Sequence, residues 1–162
     1  QRAAIRDEAH RVLADAIADV TGITEPFAEE PTGTRAVSLF ATNVPSTSLD
    51  ILGRCTGEGS CESGMESRPG LSTTLHLING PFLNHRITDP KGRLRMLLAS
   101  GESPSKIVDT FFLTALSRPP SEKEQQFLLT EFQNCRTATD SQDLAEDMLW
   151  SLLTSREFVT RR

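Results

Sequence analysis

The chain has 162 residues, a net charge of −5, one tryptophan, eight phenylalanines and no tyrosine. That length supports a real hydrophobic core, while the acidic balance argues against the clustered basic surface of a nucleic-acid binder. No apolar run approaches the roughly 20 residues of a membrane-spanning helix, and three cysteines leave bridged and free thiols both open.

Gln1 to Val20 predicts a helix. Val12, Leu13, Ala16, Ile17 and Val20 recur at helical spacing and leave Arg11, Asp15 and Asp19 outside. Gly22 is its natural C-terminal cap. Glu25 to Gly33, with two prolines and three glutamates, predicts a loop in which Phe27 anchors onto the core. Ala36 to Phe40 alternates weakly; with no partner strand in view it predicts an extended segment rather than a sheet. Pro45 to Leu52 predicts a short helix with Pro45 in its first turn and Leu49, Ile51 and Leu52 buried. Residues 54–70, rich in glycine and serine, predict a solvated loop, so that the irregular part of the chain runs over residues 23–70.

The remainder reads as helix after helix. Leu71, Leu75, Ile78 and Phe82 form one stripe, interrupted at Asn79-Gly80-Pro81, where Pro81 opens a turn holding Phe82, Leu83 and Ile87. Asp89-Pro90 predicts a cap and first-turn proline for a helix burying Leu94, Leu97 and Leu98. Ser103-Pro104 repeats the device and opens the most hydrophobic stripe, Ile107, Val108, Phe111, Phe112, Ala115 and Leu116, which Arg118-Pro119-Pro120 stops. Ser121 to Glu124 is a capping box, with Phe127, Leu128, Glu131 and Phe132 at helical spacing behind it. Thr137 to Asp140 predicts a break. A final helix from Ser141 to Phe158 turns Leu144, Met148, Leu149, Leu152 and Leu153 inward and leaves Trp150 off the stripe. The expected fold is all-α, with six to seven helices in an orthogonal-type bundle forming one domain over residues 1–162. The start at Gln1, directly in a charged helical pattern, reads as a fragment of a longer multidomain chain.

Chemistry-bearing residues gather at Cys55 to Pro81. Cys55 and Cys61 enclose five residues, wider than the usual zinc pair, and there is no second pair; His76 and His85 are the nearest completing ligands for a metal site. A local disulfide between Cys55 and Cys61 is the competing reading, together with three free thiols. Glu58, Glu62 and Glu66 with His76 are the candidates for acid–base catalysis, read more simply as solubilising loop glutamates and a helix-face histidine. There is no phosphate loop, nucleophile elbow or His-Glu-x-x-His pair. No cofactor is called for, and catalysis by this chain alone is the lesser expectation. Phe27 and Trp150 are the aromatic candidates for contact with a partner.

Leu13-Ala-Asp-Ala-Ile-Ala-Asp-Val-Thr-Gly22, Pro31-Thr-Gly-Thr-Arg-Ala-Val37, Leu75-His-Leu-Ile-Asn-Gly80, Leu113-Thr-Ala-Leu-Ser-Arg-Pro-Pro-Ser-Glu122 and Asp147-Met-Leu-Trp-Ser-Leu-Leu-Thr-Ser-Arg-Glu-Phe158 follow one another along the chain. Together they resemble the C-terminal domain of unknown function of large exported planctomycete proteins, the PSD-one type, which is often linked to a cytochrome c-like domain. The resemblance implies a helical fold and export to the periplasm or cell surface. It also implies partners among the other domains of the same parent chain, the cytochrome c-like domain included. It supplies no activity. Relatives carry a Cys-Glu-Cys-Glu-Arg run before the Leu71 helix; here only Cys61-Glu62 matches and Cys55 is extra, which weakens any shared two-thiolate chemistry.

Overall fold

The computed structural model describes residues 2–28, 30–40, 44–52 and 81–160. Its α-helices, in chain order, are α1 (Arg2–Thr21), α2 (Thr47–Ile51), α3 (Pro81–Thr88), α4 (Arg93–Ala99), α5 (Pro104–Leu116), α6 (Glu122–Asn134), α7 (Ala138–Thr154) and α8 (Arg156–Thr160). One 3-10 turn, Ala36–Ser38, lies between α1 and α2. The fold is all-α, and no strand occurs among the described residues. These residues fall into two units. One holds α1 up to Ala18 and the stretch from Thr24; the other holds Asp19–Ile23 and the stretch from Leu83.

In the first unit the apolar face of α1 behaves as its spacing predicts, with Leu13, Ala16 and Ile17 buried. The polar residues Arg11 and Asp15 do not. Expected outside, they are buried at 8% and 7% exposure. The carboxylate of Asp15 accepts from the backbone N–H of Ala36 at 2.7 Å and of Val37 at 3.1 Å. Arg11 Nη1 donates to the carbonyl of Leu39. Two side chains of one helix therefore satisfy both ends of the segment that follows. That is why Ala36 to Ser38 is a tight 3-10 turn and not the extended run expected: its amides are taken by a side-chain acceptor, with no need of a neighbouring strand. Leu39 and Ala36 are buried beside it. Ser46 caps α2, its hydroxyl accepting from Leu49 N–H at 3.1 Å and donating to Glu25 at 2.8 Å. Pro45 thus precedes the cap and is not in the first turn. Phe27 is buried, as is fitting for an anchor.

In the second unit α5 is the central element and packs against α6, α7 and α8; α7 also meets α4, α6 and α8. The α5 stripe is buried as expected: Ile107, Val108, Phe111, Phe112, Ala115 and Leu116. Each large side chain removed from water in this way contributes roughly 1.5–3 kcal/mol before ordering costs. Facing residues come from α7, namely Ala145, Met148, Leu149, Leu152 and Leu153, and from Phe158 of α8.

Capping sets most boundaries here. Ser103 accepts from Lys106 N–H, with Pro104 in the first turn of α5. Ser121 and Glu124 form the expected capping box of α6. Thr137 and Asp140 form a second one, so the predicted break at Thr137–Asp140 is instead the start of α7. The predicted helix Ser141–Phe158 divides at Ser155, whose hydroxyl accepts from Phe158 N–H and begins α8. Asp89-Pro90 opens a turn and not a helix: Asp89 accepts from Lys91 N–H at 2.8 Å, and its carbonyl accepts from Gly92 N–H at 2.9 Å. The N-cap of α4 is Gly92, where a Cβ would come within 3.0 Å of the Asp89 carbonyl oxygen.

The C-terminal end of α1 belongs to this second unit. Arg93 Nη2 donates to the carbonyl of Asp19 at 2.8 Å and Arg86 Nη1 to that of Ile23 at 2.9 Å. Two guanidinium groups thus meet carbonyls at the negative end of a helix dipole. Gly22, at φ +77°, makes the turn between those two carbonyls and lies against Arg93.

Candidate functional site

The sequence-level candidates separate into those inside the described residues and those outside. Cys55, Cys61, Glu58, Glu62, Glu66 and His76 all lie outside, and with them the disulfide, metal and acid–base readings built on them. His85 lies on α3 and is exposed. Among the described residues no three histidine, cysteine, aspartate or glutamate side chains group as metal ligands. Phe27 belongs to the core rather than to an exposed surface, and Trp150 is half-buried on α7. Cys135 is a free thiol, half-buried, with its sulfur 3.4 Å from the Glu131 carbonyl.

The most organised polar constellation in the second unit centres on Arg118. Ser117 ends α5 in the left-handed conformation, φ 55°, with its N–H on the Leu113 carbonyl at 3.1 Å. Arg118 follows and makes a bond with every donor it has. Nε and Nη2 donate to the two oxygens of Glu157 at 3.0 Å each. Nη1 and Nη2 donate to the two oxygens of Glu124 at 2.9 Å each. Nη1 also reaches the Pro119 carbonyl at 3.1 Å. A guanidinium has five N–H donors, and all five are used. Its carbon lies 5.4 Å from the centroid of the Phe112 ring, within cation–π range.

The electrostatics follow from this geometry. Hydrogen bonds from Arg118, aided by those from the Ser121 hydroxyl and N–H, hold the Glu124 carboxyl down at about 2. The same bonds, that to Glu124 first and that to Glu157 next, raise Arg118 and keep it charged. Asp140 is lowered too, chiefly by the Thr137 hydroxyl and then by the amides of Arg136 and Thr137. Arg118 has no unused donor for an anionic ligand, and the one hydroxyl beside a carboxylate, that of Ser121 at 2.7 Å from Glu124 Oε2, meets a carboxyl held too low to act as a base and serves as the cap of α6. The chemistry of the cluster is that of a clamp joining the end of α5, the start of α6 and α8.

A groove of about 820 Å³ lies elsewhere in the second unit, walled by Leu98, Ile107 and Phe132 with Arg95, Glu102 and Gln142 at its sides. Arg95 Nη2 is 3.1 Å from Glu146 Oε1, and Gln142 Nε2 donates to the same oxygen at 3.1 Å. The groove also contains Ser141, whose hydroxyl is turned to the Thr137 carbonyl at 3.4 Å. Among the described residues that line it there is no histidine, and the one cation, Arg95, is already paired with Glu146.

Three large apolar side chains of this unit stand in solvent: Met96 on α4 at 57% exposure, Leu113 on α5 at 53% and Phe127 on α6 at 63%. Phe127 and Phe132 both fall at helical spacing on α6, and only Phe132 is buried. The signal that separates them is the start of α6. With Ser121 as N-cap, Phe132 falls eleven positions along and Leu128 seven, one stripe, while Phe127 is displaced by about 100° from Leu128. No family model, curated protein or solved structure matches this chain.

Proposed function

We propose that the chain is a noncatalytic helical domain that packs against, or mediates interaction with, other domains of an exported multidomain protein. The observation that carries this reading is the pairing of a fully specified interior with apolar residues left outside. In the second unit α5, α6 and α7 each begin on a side-chain cap, the Arg118 donors are consumed, and yet Met96, Leu113 and Phe127 face water. Single exposed apolar residues are common on protein surfaces; here they lie on helices whose inward faces are already complete, so further burial requires another surface. The resemblance to the C-terminal domain of exported planctomycete proteins supports the same reading, because it sets the chain beside other domains, a cytochrome c-like one among them.

The test is to produce this chain and the remainder of its parent protein as separate polypeptides and titrate one into the other by calorimetry. Saturable binding is expected, weakened at least about tenfold, or about 1.4 kcal/mol, by Leu113→Ser combined with Phe127→Ser. Absence of saturable binding, or binding indifferent to the double substitution, overturns the assignment.

A further inference from the structure

We draw no further inference here: the strongest candidate, the groove of the second unit walled by Leu98, Ile107 and Phe132, is an apolar surface for which nothing in the structure shows what covers it, and the Arg95 guanidinium at its side is already held by Glu146.

Discussion

Asp15 holds Ala36: the carboxylate in the middle of α1 lies 2.7 Å from the backbone nitrogen of a residue 21 positions later, and takes the next amide, that of Val37, at 3.1 Å. Both Asp15 and Ala36 are buried. Arg118 and Glu157 stand in the same relation, joining the end of α5 to α8 across 39 positions. In each case a polar side chain stitches one segment of the chain to another.

Asp15→Ala is therefore expected to destabilise the chain by about 2–3 kcal/mol, because it leaves the buried Ala36 amide without an acceptor. Asp15→Asn keeps one acceptor oxygen and is expected to cost about 1–2 kcal/mol. Urea denaturation of the three proteins checks this. A loss below about 0.5 kcal/mol for Asp15→Ala, the size of an ordinary surface substitution, removes the clamp from the account.

The Arg118 cluster predicts acid sensitivity with a definite sign. The Glu124 carboxyl is lowered to about 2 in the folded chain, against an ordinary value of 4.5. A depressed carboxyl contributes stability that is complete above its unfolded value and is lost as pH falls towards its folded value. The window is thus about pH 4.5 down to 2. The side chains are about one third exposed, so solvent screens the pair and its contribution is on the order of 1 kcal/mol. Glu124→Gln is expected to be less stable than the parent by that amount at pH 6 and nearly equal to it at pH 2. Urea midpoints of both proteins at pH 6, 4, 3 and 2 decide it: a gap that does not narrow towards pH 2 contradicts the assignment.

Ser117 occupies the left-handed region at φ 55°, where a side chain carries a steric cost that glycine lacks. Ser117→Gly is expected to raise stability by about 0.5–1 kcal/mol, the relief at the helix end exceeding the added freedom of the unfolded chain. Gly22→Ala is expected to go the other way by about 1–2 kcal/mol, since φ is +77° there and the new Cβ would meet the Arg93 backbone nitrogen at 3.3 Å. Thermal melting of the two variants beside the parent checks the pair; the same sign for both would contradict the backbone argument.

Phe127 and Phe111 provide a comparison of one residue type in two environments. Phe111→Ala is expected to cost about 3–5 kcal/mol, because its ring is fully buried on α5. Phe127→Ser is expected to stay within about 0.5 kcal/mol of the parent. Denaturant unfolding measures both. A loss of more than about 1.5 kcal/mol for Phe127→Ser would place that ring in the core and remove it from the proposed contact surface.

Among the described residues, the presence of α1, α2, α5 and α6, the apolar stripes of α1, α5 and α7, and the caps at Ser103 and Ser121 were legible in the sequence alone. These are local properties: periodicity, proline position and a hydroxyl three residues from an amide need no distant partner. Local signals also sufficed for the all-α class. They failed where a residue's role depends on something far along the chain. Arg11 and Asp15 look like solvent-facing charges until the backbone of residues 36–39 is brought to them. Ala36 to Ser38 looks extended until that carboxylate takes its amides. Asp89-Pro90 is the local exception: it looks like a helix start, but its turn closes on Lys91 and Gly92, and α4 begins only after it. The spatial meeting of Arg118 with Glu157, 39 positions away, has no signature in the spacing of either. Hydrophobic pattern therefore determined which segments are helices; only tertiary structure decided which charges are buried and whom they bind, because a buried charge is tolerated only by partners that folding supplies.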